Sequence, residues 1–408
     1  MEVIHSRCAG LDVHQKTVVA CARVVEGRSV QQDVRTFSTT TAGLLELSDW
    51  LSGHGCTHVV MESTGVYWKP VWYVLEGAFE LVLANAGHVR NVPGRKSDVS
   101  DAMWLADLLA HGLIKGSFVP PTPIQEARDL TRTRTQLNRE IAQHTQRIQK
   151  TLEQANVKLT EVITHVLGVT GRAILEALIS GQSDPDGLLL LRRGKLKASE
   201  QELREALQGR VRDHHRFLLR LHLDQIDALE KAVQTIERRL EVVLSPFRSQ
   251  LELLMTIPGV SRTTAFILLA EIGEDMSQFL SSSHLVSWAG LCPRSDQSAG
   301  KRRSTRLREG NIWLKTALVQ SAWAAARTKD SYVRGQYYRL KARRGGKKAA
   351  VAVAASLLTA AYYILLRSVP YHDLGPTFPE RRHKEATVRR LVSRLRNLGL
   401  QVEIKSAA

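Results

Sequence analysis

"RCAGLDVHQKTVVACARVV" (residues 7–25) decides how the N-terminal part of this chain is read. Residues 7–13 and 17–25 are rich in Val, Ala and Cys, and the polar "DVHQK" stands between them, the pattern of a β-hairpin. The reading extends outward from there. "VRTFST" (34–39) supplies a third strand, and "TAGLLELSDWL" (41–51) has apolar residues at helical spacing. "HVVMES" (58–63) is a short buried strand, "GVYWKPVWYVLE" (65–76) a helix and "FELVLA" (79–84) a strand. "SDAMWLADLLAHGL" (100–113) is an amphipathic helix with Ser100 as its candidate cap. Three meander strands followed by alternating strands and helices predict one α/β sheet.

Four carboxylates occupy telling positions on that sheet. Asp12 lies on the first strand, Glu62 at the end of the fourth in "VVMESTG", and Asp98 and Asp101 at the start of a helix in "RKSDVSDA". An Asp carried into a buried strand is costly unless it is paired or metal-bound, and Glu62 follows the same logic. The i, i+3 spacing puts Asp98 and Asp101 on one helical face. The element order is that of a ribonuclease H type sheet, in which the first strand, the fourth strand and the last helix converge. Carboxylates meeting there supply the hard oxygen ligands that two Mg²⁺ ions about 4 Å apart require to clamp the attacking and leaving oxygens of a phosphate. Taken singly, each acid has a plainer reading: Asp98 or Asp101 as a helix cap, Asp12 as the start of a turn. All four in this order favour the metal site. Asp107 and Glu76 read as helix residues without such partners, and His14 and Lys16 as secondary neighbours.

The composition changes after "VPPTPIQ" (119–125). Leu130, Ile141 and Leu152 recur every eleven residues, as do Leu137, Ile148 and Leu159, which keeps one stripe along a long helix. "SGQSDPDG" (180–187) interrupts the region. Leu229, Val233, Ile236, Leu240 and Val243 then form a heptad seam. Two such helices predict an antiparallel coiled-coil arm, a dimer contact or a local bundle. "TIPGVSRTTAFILLAEIG" (256–273) has the form of half a helix-hairpin-helix, whose second helix would turn its N-terminus toward a phosphate; a plain glycine-containing helix start is the alternative. "HLVSWAGLCP" (284–293) is a helix ending at Gly290. A helix from about Asn311 to Arg327, a basic link, an alanine-rich helix, a linker at 369–380 and a small basic helix at 386–399 follow. The expected organisation is an α/β domain over 1–120, a helical coiled-coil segment over 121–250, a mainly α-helical domain over 251–368 and a tail over 369–408.

The charge is concentrated. The chain of 408 residues has 57 Lys and Arg against 40 Asp and Glu, a net +17. Residues 301–348 hold fifteen Lys or Arg against Glu309 and Asp330, a net +13. Such a field favours a polyanion, here nucleic acid, over a role in solubility alone. Cys8, Cys21, Cys56 and Cys292 form no CxxC pair and no zinc spacing, which fits a reducing compartment. "MEVIHSRCAGLDVHQ" has no apolar stretch of signal-peptide length. "AAVAVAASLLTAAYYILL" (349–366) is long enough to span a membrane, but its alanine content and the lack of a second such run predict a buried helix. The expected location is the cytoplasm.

"LCPRSDQSAGKRRST" (291–305) places three serines beside a run of cations. Read alone, the loop does not distinguish a nucleophile from ordinary loop polars. With "GLDVHQK … MESTGVYW … RKSDVSDAMWLADLL" and "IPGV … TAFILLAEIG … AGLCPR … SAGK", it resembles the insertion sequence 110 family of DEDD transposases. The resemblance covers most of the chain. It implies a RuvC-like, ribonuclease H-like domain, Mg²⁺ dependence, recombination of element ends with target DNA, and a structured noncoding bridge RNA as guide. It also implies a serine that links transiently to DNA. That position falls on Ser298, while Gln297 and Ala299 depart from the family's Ser and Gly, so the loop is slightly stiffer here. Ser295 and Ser304 match nothing essential.

The expected activity is therefore a DNA transposase with Asp12, Glu62, Asp98 and Asp101 as metal ligands and Ser298 as nucleophile. Lys301, Arg302, Arg303, Arg343, Arg344, Lys347 and Lys348 are the candidate nucleic-acid contacts, and a dimer or tetramer suits the exchange of four strands. A RuvC-like Holliday-junction endonuclease using metal-activated water is the rival enzyme. A basic nucleic-acid-binding scaffold is the non-enzymatic rival, disfavoured because all four carboxylates are present.

Overall fold

Gly10 stands in strand β1 (Arg7–Val13), and a helix packs directly onto its backbone. A Cβ at Gly10 would lie 2.2 Å from the Ala102 carbonyl oxygen and 2.5 Å from the Ala106 nitrogen. In this computed structural model, the described residues are 2–27, 29–63, 65–84, 101–114, 116–194, 198–294, 296–298, 301–304, 306–378 and 384–403. They fall into two compact units, Met1–Pro120 and Pro121–Ala408.

The first unit is built on β1, β2 (Thr17–Glu26), β3 (Ser29–Ser38), β4 (His58–Glu62), β5 (Glu80–Ala84) and β6 (Gly116–Ser117). The sheet order is β3-β2-β1-β4-β5-β6. β1 runs antiparallel to β2 and parallel to β4, which is parallel to β5. Helices α1 (Thr41–Gly53) and α2 (Trp68–Leu75) cover one face, where Leu44, Leu47, Leu51, Val71 and Leu75 meet Leu11 and Met61. Helix α3 (Asp101–Ala110) covers the other, setting Leu105, Leu108 and Leu109 against Cys8, Val60 and Ala84. β1 is apolar from Cys8 to Leu11 because that stretch is central and buried on both faces. β3 starts five residues earlier than its sequence pattern indicates. It is an edge strand with only Phe37 buried, so its polar "SVQQD" start carries no alternation to read. This mixed sheet with helices on both faces is compatible with a ribonuclease H-like fold.

In the second unit α4 (Thr122–Gln154) is one helix of 33 residues. Five further helices follow: α5 (Leu159–Val162), α6 (Val169–Ser180), α7 (Pro185–Leu189), α8 (Glu200–Leu207) and α9 (Asp213–Val243). α4 and α9 pack antiparallel, since Glu126 pairs with Arg239, Arg134 with Glu237 and His144 with His222. Leu219, Ile226, Val233 and Leu240 are buried along α9, seven residues apart. The eleven-residue stripe stops at Leu152: Leu159 lies beyond the end of α4, after Asn156 at a φ of +57°. The short helices α5 to α8 build a small core with Ile148, Leu152, Leu219 and Ile226 at one end of the pair.

A second core gathers around α15 (Gly346–Arg367). The helices around it are α10 (Arg248–Met255), α11 (Arg262–Ile272), α12 (Ser282–Trp288), α13 (Ile312–Ala325) and α14 (Tyr332–Arg344). Between α12 and α13 lie two short strands, β7 (Asp296–Ser298) and β8 (Lys301–Ser304). α15 is long and apolar enough to cross a membrane, yet Val353, Leu357, Leu358 and Ile364 are buried in this core. Ala349, Ala350, Ala354 and Ala361 bring its neighbours close. The basic link expected before it is the helix α14, which buries only Val333 and Tyr337 and so lacks an apolar stripe. Residues 369–378 are fastened to the core through Tyr371 N–H donating to Thr256 Oγ1 at 2.8 Å and Tyr332 N–H donating to Asp373 at 2.9 Å. The tail helix α16 spans Lys384–Asn397.

The close approach at Gly10 has a direct consequence. Gly10→Ala is expected to destabilise the protein by about 2–3 kcal/mol, because the clash is with helix backbone that cannot rotate away. Equilibrium urea unfolding reads this as a lower midpoint, and an unchanged midpoint would show that α3 does not sit on β1.

Candidate active-site elements

Alternation along the strands sorts the carboxylates. Cys8 and Gly10 face α3, so Asp12 does too, while Ala9, Leu11 and Val13 enter the opposite core. On β4, Val60 faces α3 and Glu62 follows it on the same face. The register pairs Leu11 with Met61, so Asp12 and Glu62 are the next residues on two adjacent parallel strands. Both stand at the C-terminal ends. Asp101 is the first residue of α3, next to the Ala102 carbonyl that touches Gly10. Three of the four predicted acids are thus carried to one end of one sheet face, and Asp98 lies outside the described residues.

The Asp12 side chain is 26% exposed, and its Oδ2 is 3.1 Å from His14 Nε2. Among the described residues, no three His, Cys, Asp or Glu side chains close into a metal-binding group. The donor chemistry still fits a hard divalent cation, since Asp12, Glu62 and Asp101 offer carboxylate oxygens only. The cysteines of this unit do not compete. Burial raises the Cys8 thiol to about 11, Cys21 to about 12 and Cys56 to about 12, which keeps all three protonated at neutral pH.

Ser298 is the last residue of β7, paired with Lys301 in β8, so the expected loop is a short hairpin. Its base is held tightly. Arg294 N–H donates to the Arg306 carbonyl at 2.9 Å, and Arg308 N–H to the Cys292 carbonyl at 3.2 Å. Gly290, at a φ of +70°, lies against Gly310, and a Cβ on Gly310 would meet the Gly290 nitrogen at 2.5 Å. Ser304 Oγ accepts from Arg306 N–H at 3.2 Å, which gives that hydroxyl a local structural partner. Ser295 lies outside the described residues.

Comparison with known proteins bears on both elements. An IS110-type DEDD transposase family matches residues 9–157, and the transposase family IS116/IS110/IS902 matches residues 251–339. The chain belongs to the IS110 family of transposases. It is 25% identical to the pilin gene-inverting protein of Moraxella bovis over 300 residues, 71% of this chain and 73% of that one. It is 32% identical to the transposase for insertion sequence element IS1328 of Yersinia enterocolitica over 143 residues, 35% of this chain and 40% of that one. It is 31% identical to an uncharacterised 43.6 kDa protein of insertion element IS110 from Streptomyces coelicolor over 121 residues, 29% of each.

In this IS110-family transposase two charged groups escape a reading of the sequence. Glu271, on α11, has a side chain only 1% exposed. The Arg132 guanidinium grips it with two bonds of 2.8 Å, and Asn311 Nδ2 donates to it at 2.5 Å. Arg128 stands 3.7 Å away, where burial pulls its guanidinium below the usual value and Glu271 opposes that. Asn311 Oδ1 also accepts from Leu314 N–H and so caps α13. Glu271 therefore anchors the chain where it leaves the serine hairpin. The second group is Arg23 on β2, 6% exposed, 3.2 Å from Asp107 on α3. The sequence leaves Asp107 as a helix residue without a partner; the structure gives it one. An acid inside "FILLAEIG" and an arginine inside "ACARVV" carry the same buried-charge signal that singles out Asp12.

The half helix-hairpin-helix is α10, a turn and α11. Gly259, at a φ of +81°, is required because a Cβ there would lie 2.4 Å from the Ser321 carbonyl of α13. Ser261 caps α11 by accepting from Thr264 N–H. Of the predicted basic contacts, Arg343 and Arg344 end α14 and Lys347 and Lys348 begin α15, all exposed or half-buried; the backbones of Lys301, Arg302 and Arg303 form β8.

Glu271→Ala is expected to cost about 3 kcal/mol, because it strands a guanidinium fork and removes the anchor of Asn311. Thermal unfolding should show the loss, with the midpoint of Arg132→Ala lowered similarly and the double variant less than additive. Strict additivity would show that the two side chains do not act as a pair.

Proposed function

We propose that this IS110-family protein is an RNA-guided DNA recombinase that cuts and rejoins insertion-sequence ends and target DNA. The observation that carries the reading is the gathering of Asp12, Glu62 and Asp101 at one end of one sheet face. Those residues with Asp98 would hold Mg²⁺, two ions in this reading, which supply Lewis acidity at the scissile phosphate when bound. The Ser298 hydroxyl attacks the phosphorus, forming a phosphoserine bond as the bond to the leaving DNA oxygen breaks and its hydroxyl is released. The proton lost by the serine hydroxyl is balanced by the one that the leaving DNA oxygen takes up. Reversal by a different DNA hydroxyl joins new ends and frees the serine, so phosphodiester energy is conserved.

One relative bears on the choice between recombinase and endonuclease. The Moraxella protein is named for inverting a gene, which needs joining as well as cutting. By that likeness, joining is the activity proposed here over water-driven hydrolysis by a RuvC-like nuclease. A structured guide RNA, a dimer or tetramer and a cytoplasmic, nucleoid-associated location belong to the same reading. Lys301, Arg302 and Arg303 adjoin the serine in sequence and would stabilise charge at the phosphate.

Ser298→Ala is expected to abolish the covalent protein–DNA adduct and all strand joining, while Ser304→Ala retains both. Asp12→Asn should lower cleavage by at least about a thousandfold with DNA binding retained. The assay incubates protein, RNA, Mg²⁺ and end-labelled DNA, denatures, and follows label on the protein. Clean cleavage by Ser298→Ala with no adduct from the unaltered protein would move the reading to the endonuclease.

A second expectation concerns the basic segment. Replacing Arg343, Arg344, Lys347 and Lys348 together by Ala should flatten the log–log salt dependence of nucleic-acid binding by about 0.7–0.9 for each phosphate that is no longer neutralised. An unaltered slope and affinity would show that these cations face only solvent.

A further inference from the structure

A crevice of about 430 Å³ opens between α4, α11 and α13. Among the described residues, no acidic side chain lines it. Its walls carry Arg134, Arg139, Trp313 and several neutral hydroxyl and amide side chains, among them Thr263 and Gln320. The charges differ in kind. Arg134 is committed to Glu237, with both bonds between 2.6 and 2.8 Å. Arg139 has no hydrogen bond or ion pair among the described residues, and its guanidinium lies 5.0 Å from the centre of the Trp313 ring. The indole N–H of Trp313 likewise makes no hydrogen bond there, and the residue is only half-buried.

The other guanidinium near this ring, that of Arg132 at 5.8 Å, is already bound to Glu271, so a half-exposed indole with the uncommitted Arg139 against it is poorly explained as core packing. The volume falls in the range that takes a small organic group. Aromatic side chains stack nucleobases without regard to sequence, and a neighbouring arginine supplies the contact to the phosphate. The position is also rigid: Trp313 follows Asn311 by two residues, and Asn311 is held by Glu271.

We propose that this crevice binds one unpaired nucleotide of a single-stranded nucleic-acid segment, with its base stacked on Trp313 and its phosphate at Arg139. The inference rests on the reading of this protein as a nucleic-acid enzyme and assigns it a single-strand anchor distinct from the reacting residues. RNA and DNA offer the same base and phosphate chemistry, so both are probes.

The test uses the full chain with three fluorescent oligonucleotides: a 12-nucleotide oligouridine, the matching oligothymidine and a duplex. Trp313→Ala should weaken binding of a single strand by about tenfold, within the range for loss of one stacked base, and change duplex affinity less than twofold. Trp313→Phe should restore most of the loss, and the exposed Arg139→Gln should reproduce part of it without disturbing the core. Photocrosslinking with 5-iodouracil in the tighter-bound strand should map to the peptide containing Trp313; loss from oligouridine alone assigns the site to RNA, and from oligothymidine alone to DNA. If single strands and duplex lose affinity equally, or if Trp313→Ala and Arg139→Gln both bind as the unaltered protein does, the inference falls and the enzyme reading stands. If the unaltered protein binds none of the three probes, both fall.

Discussion

A charge taken into a protein interior must be met there, and this requirement organises both units of the chain. Glu271 is the plainest case. Its side chain is almost fully enclosed on a helix that is otherwise apolar from Ala265 onward, so its oxygens must find fixed donors. They find Arg132 on α4 and Asn311 at the head of α13, segments 139 and 40 positions away in sequence. A shared buried acceptor draws three elements to one point more sharply than apolar contact alone, because hydrogen bonds have direction and greasy surfaces do not. The hairpin carrying Ser298 leaves the fold between α12 and α13, so its exit is set by this cluster and its base by the packing of Gly290 on Gly310.

The first unit meets the same requirement less completely. Arg23 reaches Asp107, but its Nε and Nη1 are buried without a hydrogen-bond partner among the described residues. A pair so placed is weak evidence of stability, since desolvation offsets much of the attraction. Its geometric effect is clearer. Where α3 crosses Gly10 it presents Ala102 and Ala106, a smooth surface that alone would let the helix slide or rotate. The Arg23–Asp107 pair, just past Ala106, gives that surface a register. With the register set, Asp101 opens the helix beside the ends of β1 and β4, where Asp12 and Glu62 stand.

Much of this is legible in the chain, and the reasons differ by element. The β1–β2 hairpin and β4 are central strands whose burial on both faces leaves predominantly apolar runs. Asp12 and Glu62 stand out because they interrupt those runs. α15 is readable as a core helix because alanine is too weakly apolar for a lipid-facing span. The start of β3 and the helix α14 are not readable, since an exposed edge and a helix burying two side chains impose no pattern. Arg23 and Glu271 give the same local signal as Asp12, but their partners lie far along the chain, and no spacing rule finds a partner 139 residues away. The resemblance to a family singles out Ser298 among the serines of its loop; the residues around it would not do so.

The charge count shows what a sequence total conceals. Along α4 to α11 the arginines are largely matched: Arg134 with Glu237, Arg172 with Asp227 and Glu230, Arg220 with Glu176, Arg204 with Asp186 and Arg262 with Glu241. Exposed pairs of this kind add only about 0–1 kcal/mol each to stability, but they cancel the local field. From residue 306 to 348 the described Lys and Arg side chains make no ion pair, and Glu309 is drawn instead to Arg294 at 3.5 Å. The cations of the helix pair therefore serve the fold, while those of α14 and the start of α15 stay unneutralised toward solvent. Unmatched charge of one sign on a well-packed core raises the self-energy of the folded state, and a polyanion laid along it relieves that energy by releasing its own counterions. The net +17 is thus better understood as a nearly neutral scaffold with one strongly cationic segment, which follows the hairpin that carries Ser298, and a smaller basic tail.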